Sequence, residues 1–261
     1  MLAFILTIGA LNLLKAEARN ECPDRPVDVL VLGDSQTGAS WATSYFGNFI
    51  QSCLKTHPLS PTFAIYGRGG TQPVDWLNRK SLDSVNLVIR DSEHPHKILN
   101  ASETPVCMKR LAPLLSGHRP KKVVLFFGDN LLTAEPMEIR RQYRLLLEQI
   151  RTAGISASDC ILVTPTYEME VSTKRNVPAK NLANTKRVLS AIRAEAGEGC
   201  RVLDGLELMG SSPLLLSNET LKRVHVPGTN GCLQAASNDN IHVCGEAARE
   251  LAHKVCGQIR N

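Results

Sequence analysis

Short, densely apolar runs recur along the chain, and longer stretches with helical spacing separate them. The run Val27-Asp28-Val29-Leu30-Val31-Leu32 predicts a buried strand that ends at Gly33. Thr62–Tyr66, Lys121–Phe127, Cys160–Thr164 and Arg201–Leu203 predict four more, the second closed by a glycine cluster and the fourth by Pro165. Between them, helical patterns are expected over Gly38–Lys55, Met108–Gly117, Glu135–Thr152 (with Pro136 in its first turn), Asn181–Ala196 and Val243–Arg260. Strand and helix alternate from end to end, which predicts an α/β chain with a five-stranded parallel sheet covered on both faces. In such sheets reactive groups gather at the carboxyl ends of the strands.

Three regions stand apart from this alternation. Leu2 to Leu14 is apolar apart from Thr7 and Asn12, and is too short to span a bilayer stably. Ala16-Glu17-Ala18 follows with the small-x-small form of a signal-peptidase site, so residues 1–18 are expected to be a signal peptide and 19–261 a single domain. Residues 74–105 lack clear periodicity and are expected to be an insertion of mixed structure at the active-site edge. Within it, Asp91-Ser92-Glu93-His94-Pro95-His96 has metal-binding residue types, yet Pro95 and the loop setting favour a solvated segment over a rigid metal site.

The eight cysteines, together with an export signal, predict disulfides, and Cys232 and Cys244 are expected to pair around the segment between them. Absence of any C-x-x-C pair disfavours a zinc ribbon. A net charge of +5 without a dense basic run or an aromatic platform argues against nucleic-acid binding, and no stable membrane span is expected.

Four short blocks carry candidate chemistry: Gly33-Asp34-Ser35-Gln36-Thr37, Gly67-Arg68-Gly69-Gly70-Thr71, Gly128-Asp129-Asn130 and Asp239-Asn240-Ile241-His242. A serine hydroxyl needs a base to take its proton, and His242 can serve Ser35 in that role. Asp239, three residues earlier, can hold the imidazole in one tautomer. A glycine N–H of the second block, the amide groups at the helix start and the Asn130 side chain can together form an oxyanion hole. Arg68 sits in that loop, where it can meet an anionic group of a substrate or else be an ordinary surface arginine.

In order and spacing these blocks resemble the SGNH (GDSL) hydrolases. The resemblance rests on Gly33-Asp34-Ser35 with Thr37, on Gly70 before Thr71 (Gly69 being the second choice), on Gly128-x-Asn130 and on Asp239-x-x-His242. Leu131 replaces the Asp that often follows the block-three Asn, and the last block continues as His242-Val243 instead of His-Pro. The resemblance implies a flavodoxin-like three-layer α/β/α sandwich and a serine esterase that needs no cofactor or metal. It gives Ser35, Asp239 and His242 as catalytic residues, and Ser35, Gly70 and Asn130 as the oxyanion hole. The expected substrate is an acetyl ester on carbohydrate, O-acetylated peptidoglycan first and plant-type polysaccharide second, acted on in the periplasm or outside the cell. A lipase or lysophospholipase, an O-acetyltransferase and a non-catalytic sugar-binding relative are the alternatives.

Overall fold

The computed structural model describes residues 23–38, 45–77, 85–94, 96–164, 178–197, 199–210 and 245–259. The expected signal peptide, Asp239, His242, Cys232 and Cys244 lie outside them. Seven strands form one sheet: β1 (Val29–Gly33), β2 (Phe63–Gly67), β3 (Leu87–Asp91), β4 (Lys97–Leu99), β5 (Lys122–Phe126), β6 (Cys160–Val163) and β7 (Arg201–Leu203). Their order is β4-β3-β2-β1-β5-β6-β7.

The five strands read from the sequence are the parallel ones, in the flavodoxin-like order with β1 between β2 and β5. The expectation of an all-parallel five-stranded sheet is corrected by β3 and β4, which come from the supposed insertion and extend the sheet antiparallel to β2. Their signal was weak because β3 has only three apolar residues before Arg90 and Asp91, and β4 has three residues in all.

Alternation along the strands supplies two cores, one per face. Leu30, Leu32, Ala64, Tyr66, Val123, Leu125, Cys160 and Leu162 face one helical layer. That layer contains α3 (Leu111–His118), α4 (Pro136–Thr152) and α5 (Pro178–Ala196). Val29, Val31, Phe63, Ile65, Val124, Phe126, Ile161 and Val163 face the other, which contains α2 (Phe46–Lys55), α6 (Gly205–Gly210) and α7 (Gly245–Gln258). The arrangement is a three-layer α/β/α sandwich. On α4, Ile139, Tyr143, Leu146, Leu147 and Ile150 are buried at helical spacing; each such side chain is worth roughly 1.5–3 kcal/mol against exposure.

The single helix expected over Gly38–Lys55 is instead two pieces: α1, a single turn over Ser35–Gly38, and α2 from Phe46. Tyr45 and Phe46 are core residues, and Phe46 meets Phe126 edge-on at 4.9 Å. Disulfides join Cys53 of α2 to Cys256 of α7, and Cys160 at the start of β6 to Cys200 just before β7. Cys107 is also disulfide-bonded. Among the described residues, no helix is long and apolar enough to cross a membrane.

Candidate active site

β1, β2 and β5 end side by side, and the first three blocks begin where they end. Gly33 pairs with both Gly67 and Phe126 across the sheet, so the residues that follow each strand are brought together. Glycine is required by close approach. A Cβ on Gly33 would stand 2.7 Å from the Phe126 carbonyl oxygen, and one on Gly38 would stand 2.5 Å from the Gly67 carbonyl carbon. The turn that carries Ser35 is thus pressed directly onto the end of β2.

Asp34 shapes this turn. It is fully buried; its Oδ1 accepts the Gln36 N–H at 3.0 Å, and its carbonyl accepts the N–H groups of Thr37 and Gly38. The carboxylate thereby caps the turn and fixes where Ser35 leaves the strand. Ser35 itself retains 7% of its surface. The α1 segment is too short for a substantial helix dipole, so local amides, not the macrodipole, are what it can offer to negative charge.

The glycine loop after β2 lies against the serine. A Cβ on Gly69 would come within 4.0 Å of the Ser35 Cβ, whereas one on Gly70 would touch nothing but would sit at φ +69°. Gly69 thus lies within van der Waals reach of Ser35, and Gly70 makes the left-handed turn that presents the loop. Arg68 is not the surface residue its composition would suggest. It is fully buried, its N–H ties back to the Gly33 carbonyl, and its Nη1 donates to the Val85 carbonyl at 2.8 Å.

Asn130 arrives on a single 3₁₀ turn, Asp129–Leu131, after β5. Its Nδ2 donates to the Thr71 carbonyl at 3.0 Å and lies 3.5 Å from Asp34 Oδ2, so it joins the glycine loop to the serine turn. Leu131 is fully buried in the core, which anchors this turn from below. Ser35, Gly69, Gly70 and Asn130 are thus gathered in one place.

Sequence reasoning missed Arg90 on β3. Its Nη1 donates to the Thr37 carbonyl and its Nε to Asn48 Oδ1, each at 3.0 Å. Burial lowers its pKa to about 10, so the guanidinium stays charged at neutral pH while it braces the far end of α1. The one available signal was a charged residue directly after the apolar run Leu87–Ile89. By contrast, Asp91 and His94 pair with each other in an exposed turn. Among the described residues no group of three or more His, Cys, Asp or Glu side chains is placed to hold a metal ion.

No protein-family model matches the chain, and no curated protein matches it in sequence. Among solved structures it is similar to a carbohydrate acetylesterase family member from Sinorhizobium meliloti, with a TM-score of 0.51 and 13% identity over 89% of this chain and 99% of that one. A peptidoglycan O-acetylesterase matches over 95% of this chain and 94% of that one, at TM-score 0.49 and 10% identity. A lipase/acylhydrolase from Enterococcus faecalis matches over 88% and 94%, at TM-score 0.48 and 16% identity. The likeness is one of fold: the three-layer α/β/α sandwich described above.

Proposed function

We propose that the protein is an exported serine esterase that removes acetyl groups from carbohydrate, with O-acetylated peptidoglycan as the first substrate to test. The observation that carries this reading is the convergence of Ser35, the Gly69–Gly70 loop and the Asn130 amide at the carboxyl ends of β1, β2 and β5. The fold shared with the Sinorhizobium meliloti carbohydrate acetylesterase family member supports the choice of acyl group and alcohol. The described disulfides fit an oxidising compartment.

In this reading Ser35 Oγ attacks the ester carbonyl while His242 takes its proton, and Asp239 holds the imidazole. Negative charge on the carbonyl oxygen is met by the Ser35 and Gly70 N–H groups and by Asn130 Nδ2. His242 then returns the proton to the departing sugar oxygen. Water, deprotonated by the same histidine, attacks the acetyl-serine; acetate leaves and Ser35 regains its proton. Buried Arg68 acts on substrate only through the loop it holds.

The test is release of acetate from O-acetylated peptidoglycan and from a small acetate ester, with wild type beside Ser35→Ala. The wild type is expected to turn over both, and the variant to lose at least about a thousandfold in kcat. A folded wild type that releases no acetate from either would reject the esterase reading.

A further inference from the structure

A chain of side-chain amides runs from α4 to the candidate oxyanion hole, and only one orientation satisfies it. Gln142, 2% exposed on α4, accepts the Val74 N–H on its Oε1 at 3.3 Å. Its Nε2 donates to Gln72 Oε1 at 2.8 Å and to Glu138 Oε1 at 3.0 Å. Gln72 Nε2 in turn donates to the backbone carbonyl of Asn130 at 3.0 Å. The two ends are backbone groups of fixed character: an N–H can only donate and a C=O can only accept. Flipping either glutamine would set donor against donor at one end, or acceptor against acceptor at the other. Glu138, drawn to about 2 chiefly by its hydrogen bond with Arg141, stays an acceptor across the working pH range.

The consequence falls on Asn130. Its carbonyl is held by Gln72 and one side-chain N–H by the carbonyl of Thr71, immediately before Gln72 in the chain, so the second N–H of Nδ2, which lies 3.5 Å from Asp34 Oδ2, is the one to turn to an oxyanion. Asp75, at the end of the same capping turn, accepts the Gln72 N–H at 2.7 Å, so the Gln72 backbone is fixed as well. We infer that Gln72 and Gln142 are positioning residues that aim the Asn130 amide at the developing oxyanion. They touch no substrate and act through Asn130. This inference rests on Asn130 being an oxyanion donor, as proposed above.

The test uses isosteric variants. Gln142→Glu can still accept from Val74 but cannot donate to Gln72, and Gln72→Glu sets a carboxylate against the Asn130 carbonyl. Gln142→Leu, which adds no charge, accompanies them in case the acidic variants fold poorly. Two readouts are taken: kcat and KM per active site, with sites counted by a serine-reactive phosphonate, and the side-chain amide resonances of Asn130 with their solvent-exchange rate. The expected result is a kcat lower by roughly 10- to 100-fold with KM within about twofold, and a shifted, faster-exchanging Asn130 amide. A purely structural role would lower the number of titratable sites and leave kcat per site unchanged. Unchanged kcat per site with an unchanged Asn130 resonance overturns the inference. If the wild type hydrolyses no ester, the esterase reading fails separately, and the Asn130 resonance alone decides whether the amide chain exists.

Discussion

The two ends of the parallel sheet are held by different means. At the carboxyl end the chain is fastened by glycines that let backbones touch, by the buried Gln36–Asp34 hydrogen bond and by part-buried hydrogen bonds that join Asn130 to Thr71 and Gln72. At the amino end the fastenings are covalent or peripheral. Cys53–Cys256 joins the late turns of α2 and α7, and Cys160–Cys200 joins the starts of β6 and β7. Nearby, His118 closes α3 with Nδ1 donating to the Arg25 carbonyl at 2.9 Å and Nε2 accepting the Tyr66 hydroxyl at 2.7 Å. A cavity of about 870 Å³, lined by Leu77, Leu115, Arg119, Leu145 and Ile155, also lies at this amino end, between α3 and α4. What marks the carboxyl end is the convergence of hydrogen-bonded polar groups on closely packed backbone.

The sharpest way to break the contrast is Gly67→Ala. The added methyl would overlap the backbone of Gly38 and Thr37, which cannot yield without moving α1. Activity is expected to fall by about a hundredfold or more from displacement of Ser35, measured per mole of folded protein. Next come the disulfides. Removing Cys53–Cys256, with a sequence separation of 203, is expected to cost roughly 5 kcal/mol in the chain-entropy picture, against about 4 for Cys160–Cys200 with its separation of 40. Denaturant unfolding of the two paired-alanine variants should show that order, with kcat per titrated Ser35 changed less than by Gly67→Ala.

The smallest effect is a pH dependence at the amino end. Burial holds the His118 imidazole below its ordinary 6.5, outweighing the opposing Arg25 carbonyl. A folded state with the lower pKa binds fewer protons than the unfolded chain, so stability falls as pH drops from 6.5 toward the depressed value. His118→Gln should flatten that slope in unfolding measured between pH 7.5 and 5, while leaving the acetate-release rate unchanged.

Much of the carboxyl end was legible because its residues sit close to where they stand in sequence. Gly33-Asp34-Ser35 is a strand end, a cap and the proposed nucleophile in three consecutive positions, and the glycine cluster and Gly128-x-Asn130 follow strands in the same way. Arg90, Gln72 and Gln142 were not legible, since each acquires its role from a partner 42 to 70 positions away. The antiparallel β3–β4 pair was lost for a related reason. β3 offers only three apolar residues before Arg90 and Asp91, β4 opens with an exposed lysine, and what makes them strands is pairing, of β3 with β2 and of β4 with β3.

That pair also determines how the sheet meets its surroundings. Among the described residues its outermost strands, β4 and β7, are three residues each, and each opens with an exposed basic residue, Lys97 or Arg201. A short, charged margin is a poor template for a strand from another molecule. Without β3 and β4, the five apolar, fully buried residues of β2 would themselves form the margin. The two added strands therefore cover the apolar flank of β2 and leave the sheet a margin that is a poor partner for another strand.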